Sequence, residues 1–71
     1  MAYSDKAAWE YLQAAFETCK HYVEIQVAGK DDPFRATGVM AFDDEGFIEV
    51  RLDRQITVAL RADHIVAMTA V

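Results

Sequence analysis

Hydrophobic positions along this chain follow two periodicities, and the change between them falls near His21. Trp9, Leu12, Phe16 and Cys19 are spaced three, four and three residues apart, which places them in one apolar stripe on a helix. Asp5, Lys6, Glu10, Gln13, Glu17 and Lys20 fall mostly elsewhere. Ser4 is a good N-cap, and Asp5 stands where the positive end of the helix dipole favours an acid. Ala7 occupies the position where a reciprocal capping box needs Glu. The pattern predicts an amphipathic helix over 4–20 that covers something apolar.

Beyond His21 the period becomes two. Val23, Ile25 and Val27 alternate with Glu24 and Gln26, predicting a strand over 22–28 with one wet face. Gly29-Lys30-Asp31-Asp32-Pro33 is a turn by composition. Phe34, Ala36, Gly38, Met40 and Phe42 then alternate with Arg35, Thr37, Val39 and Ala41. This predicts a long strand over 34–43 whose central glycine permits sharp bending. Asp43-Asp44-Glu45-Gly46 fits a tight hairpin ending in a left-handed glycine. Ile48, Val50 and Leu52 mark the inner face of a strand over 47–53. Further strands are predicted over 56–61 and 65–70, with Arg61-Ala62-Asp63-His64 interrupting the pattern between them. Thr57, Ala59, Val66, Met68 and Ala70 leave neither face of these last two strands properly polar, a sign of burial on both sides. One helix and five short strands predict a mainly β, strongly bent antiparallel barrel.

Composition narrows the class. Seventy-one residues make one domain, 1–71, whose own core gives marginal stability. Cys19 is the single cysteine, so no internal disulfide forms, and Cys19, His21 and His64 are the only soft metal ligands. Self-association is then the expected source of further stability, and a neighbouring copy is expected to cover the second face of strands 56–61 and 65–70. Hydrophobic residues make up 54% of the chain, yet no apolar run approaches the roughly 20 residues of a membrane span. The opening MAYSDKAAWE lacks the regions of a signal peptide, and a cytoplasmic location is expected. Net charge is −5 with no Lys/Arg cluster, so the electrostatic footprint of a general nucleic-acid binder is missing. There is no nucleophile elbow, phosphate loop, zinc spacing or carboxylate dyad. No enzyme, cofactor or metal is expected.

The run Leu60-Arg61-Ala62-Asp63-His64-Ile65-Val66-Ala67-Met68 resembles the second motif of the Sm-like family (Sm, LSm and Hfq). In that motif an aliphatic strand runs into Arg-Gly-Asp/Asn and a short apolar strand follows. The stretch from Gly38 to Ile48 looks like the family's first motif, with a glycine in the long second strand and an aspartate six residues later, here Asp44. The resemblance spans roughly residues 4–71. Ala62 stands where the family has glycine, and the chain contains no asparagine.

The resemblance implies an SH3-like open barrel of the Sm kind and a ring of about five to seven subunits, in which strand 56–61 of one copy pairs with strand 65–70 of the next. It also implies single-stranded RNA as the ligand, in RNA processing or regulation. Arg61 and Asp63 would form a base pocket in which His64 stacks, and Phe42 and Asp44 would approach from the neighbouring loop. Each residue also has a plainer reading. Arg61 and Asp63 would pair across subunits and hold the turn. Phe42 is in phase with the core, and Asp44 would accept hydrogen bonds from turn amides. The second expectation is therefore an acidic oligomeric module for structure or protein interaction, without nucleic acid.

Overall fold

The Ser4 hydroxyl accepts the Ala7 N–H at 3.1 Å and so starts a helix, α1, over Asp5–Thr18. The computed structural model describes residues 4–43 and 45–71. Ala8, Leu12 and Ala15 form the buried line of α1, with Trp9, Phe16 and Cys19 half-buried beside it. The deepest stripe is thus displaced from the predicted one. Two alanines let the helix backbone lie close to the strands, and the large side chains wedge along one margin. The helix also ends two residues earlier than predicted. Lys20, His21 and Tyr22 all turn their amides to the Val71 carbonyl, at 3.0, 2.8 and 3.3 Å, which takes them out of the helical ladder.

Strands follow in the order β1 (Val23–Val27), β2 (Phe34–Ala36), β3 (Gly38–Phe42), β4 (Phe47–Arg51), β5 (Thr57–Arg61) and β6 (Ile65–Ala70). A single 3-10 turn, Ala62–His64, joins β5 to β6. All pairings are antiparallel and form two three-stranded sheets, β2-β1-β6 and β3-β4-β5. The expected five strands are therefore six, because the stretch expected as one strand over 34–43 divides at Thr37. Ala36 pairs with Val23 in the first sheet, while the Thr37 N–H and hydroxyl both bond the Arg51 carbonyl, at 2.7 and 3.3 Å. Within one residue the chain passes from one sheet to the other.

Gly38 is not what permits this passage. It has no left-handed φ, and a Cβ there would meet only the Arg51 Cβ, at 3.9 Å, an ordinary contact. The step at Thr37 reverses the predicted phase, and a register shift between Val39 and Ala41 follows it. Val39 packs on the core, and Met40, expected inside, is 43% exposed.

Val23, Ile25, Ala36, Ile48, Val50 and Ile65 close the core beneath Ala8 and Leu12. The remaining strand ends also contract. β5 begins at Thr57, which leaves Ile56 50% exposed. Gly46 ends the β3–β4 hairpin at φ +93°, in the left-handed region the turn requires. Among the described residues, no helix is long and apolar enough to cross a membrane.

Candidate nucleic-acid interface

Ala62 opens the 3-10 turn with its side chain buried, and its N–H donates to the Gly46 carbonyl at 2.8 Å. This bond draws the β3–β4 hairpin turn against the turn between β5 and β6. The hairpin turn is set by Asp43, whose Oδ1 accepts the Glu45 and Phe47 amides at 2.9 and 3.1 Å. Asp43 thus takes the amide-accepting role expected of Asp44, and Asp44 itself lies outside the described residues.

Two candidates from the sequence meet directly. Arg61 donates from Nε to Asp63 Oδ1 at 3.1 Å and from an Nη to Asp63 Oδ2 at 3.0 Å. The fork closes within one chain, not between subunits as the plainer sequence reading expected. Two residues apart across the first step of a 3-10 turn, the side chains are close enough to meet without help from a neighbour. Both remain half exposed. The hydrogen bond from Arg61 lowers the pKa of Asp63, with smaller pulls from the Arg61 and His64 charges, and raises that of Arg61 in return.

The fork fixes the plane of the guanidinium, which lies 5.9 Å from the Phe47 ring centroid. Phe47 is the residue directly opposite Arg61 in the β4–β5 register. Sequence reasoning passed it over, although the signal was there: pairing Leu52 with Ile56 across the short turn after β4 brings position 47 opposite position 61.

Beside Phe47 is an open hollow of about 130 Å³, bordered by Ala41, Phe42, Asp43, Glu49 and Ala59. Ala41, Glu49 and Ala59 are cross-strand neighbours, so two small side chains flank one carboxylate. Such a floor repels phosphate and suits a flat ring with N–H donors on its edge. Phe42 borders the hollow, but its ring packs against Trp9 of α1, with centroids 5.1 Å apart and planes at 51°. It is nonetheless 41% exposed, so it is shared between helix packing and the surface. His64 is exposed at the end of the 3-10 turn, and its carbonyl accepts the Ala28 N–H at 2.8 Å. Among the described residues, no three His, Cys, Asp or Glu side chains converge as a metal site would require.

The strands flanking the turn are each the last of their sheet. Val66 of β6 is 59% exposed, and Thr69 and Ala70 are exposed as well. No protein-family model, curated protein or solved structure matches the chain.

Proposed function

We propose that this chain is a subunit of an Sm-like ring that binds single-stranded RNA at Arg61, Asp63, His64 and the Phe47 hollow, with Phe42 at the border of the hollow and Asp44 as a further contact. One observation carries the reading: the Arg61 guanidinium, oriented by Asp63, lies against the Phe47 ring, which borders an open hollow. A planar cation and an aromatic ring are the partners on which unpaired bases stack. The outermost positions of β5 and β6 support closure into a ring of about five to seven copies, which removes open sheet edges.

Charge decides what kind of binding this is. Each chain carries −5, so a ring of six would carry about −30 (6 × −5) and repel phosphate at range. The Arg61 charge is moreover matched by Asp63. Affinity then comes from stacking and base-edge contacts, and its salt dependence is shallow. Fluorescence anisotropy with oligo-U and oligo-A tests this. Saturable binding below about 100 μM at low salt, weakened by Arg61→Ala in an intact assembly, is the expected result. Absence of binding to either oligomer sinks it.

A second reading is favoured by the same charge balance and by the exposed Ile56 and Val66. Here the chain is an acidic oligomeric module that engages a protein. In that case Arg61→Ala lowers the mass seen by light scattering and no RNA signal exists to lose.

A further inference from the structure

We propose that Tyr11 caps the outer edge of β6 and holds the chain back from pairing with β5 of a second copy. This rests on the assembly reading above. The Tyr11 hydroxyl, on α1, donates to the Met68 carbonyl of β6 at 3.1 Å, across 57 positions of sequence.

The phase of the β-ladder shows which way that carbonyl faces. Tyr22 and Val71 exchange both of their backbone hydrogen bonds, at 2.8 and 3.3 Å. In an antiparallel pair such residues alternate with pairs whose amides and carbonyls point away. Counting along the β1–β6 register, Thr69 and Ala67 face β1, and Met68 and Ala70 face outward. The same count on β5 starts from the Leu52 amide on the Ile56 carbonyl, at 2.8 Å, and ends at the Ala62 amide on the Gly46 carbonyl. It turns Thr57, Ala59 and Arg61 outward. The Tyr11 hydroxyl therefore occupies a carbonyl that an added strand would need.

An open cleft of about 260 Å³ lies alongside, lined by Tyr11, Ala14, Ala15, Thr18 and Ala70. Apart from Tyr11 these side chains are small, so little bulk flanks the β6 edge on the helix side. We commit to β5 of another copy as the occupant. It is the last strand of the other sheet, and the amides and carbonyls of its Thr57, Ala59 and Arg61 face outward in the same way. An open edge invites indiscriminate pairing, and a side-chain hydroxyl on one carbonyl blunts it until a strand of sufficient affinity displaces it.

Tyr11→Phe keeps the ring and removes the donor. Sedimentation velocity over a range of concentrations should show the variant associating about 2- to 10-fold more tightly per contact than the native chain, the range for one neutral hydrogen bond. Equal or weaker association of Tyr11→Phe, with the native chain assembling, overturns the cap and leaves the ring standing. If both stay at the mass of one chain at several hundred micromolar, the assembly reading falls and takes the cap with it. A second measurement needs no variant. In the native chain, the Tyr11 ring resonances should move with concentration in step with those of Met68. Resonances that stay fixed while mass rises rule the cap out.

Discussion

At the scale of single residues, the Arg61–Asp63 fork sets what the site can do. Asp63 sits in the folded chain with its pKa below the ordinary aspartate value, chiefly through the Arg61 hydrogen bond. A carboxylate depressed on folding adds stability that is complete above its unfolded value and is lost as pH falls through the folded one. The fork therefore stays closed through neutral and mildly acid solution and opens only below the ordinary carboxylate value. Carbon-detected NMR of the Asp63 carboxyl should give a midpoint under that value, returning to it in Arg61→Gln. A midpoint at or above the ordinary value in the native chain shows that the fork is not formed. Because the pair lies in open solvent, its role is to orient the guanidinium, and it adds little to stability.

At the scale of elements, packing turns on which face of α1 touches the sheets. Ala8 is fully buried while Ala7, one position earlier, is exposed. Ala8→Leu should cost about 1–3 kcal/mol by overpacking, and Ala7→Leu should stay within about 0.5 kcal/mol. Urea unfolding of the two variants checks this, and equal costs would mean that the helix sits on another face. The period of three to four announces the helix and its Leu12, which is fully buried, but it draws the stripe through Trp9, Phe16 and Cys19 as well, which are only half-buried. Alanine carries little signal in a sequence, yet it decides how closely a helix can approach. Period-two alternation marks β1 and β4, where every second residue is buried. It misled over 34–43, since the turn at Thr37 and the bulge at Met40 each add one residue of phase, and the second cancels the parity that the first disturbed. At the site, Arg61 and Asp63 were legible because two positions in one turn suffice to bring them together. Phe47 needed a pairing register, which no local pattern states.

At the scale of the whole molecule, β5 and β6, each outermost in its own sheet, do not lie on one sheet. β5 closes one sheet, β6 closes the other, and three residues of 3-10 turn separate them. A contact between β5 of one copy and β6 of the next joins unlike surfaces, so each added copy leaves a fresh edge at either end until rotation brings the first and last together. In the proposed ring the angle per step would be set by the short turn, which the buried Ala62 and its bond to Gly46 hold in place. In that assembly the turn would act as the hinge pin. Two glycines inserted between Asp63 and His64 would relax the pitch, and particles of uniform size should give way to open-ended filaments in negative-stain images. Uniform particles from the insertion variant would show that closure is governed elsewhere. A three-residue connector would thus separate a soluble closed body from a fibre, with every strand and every core contact unchanged.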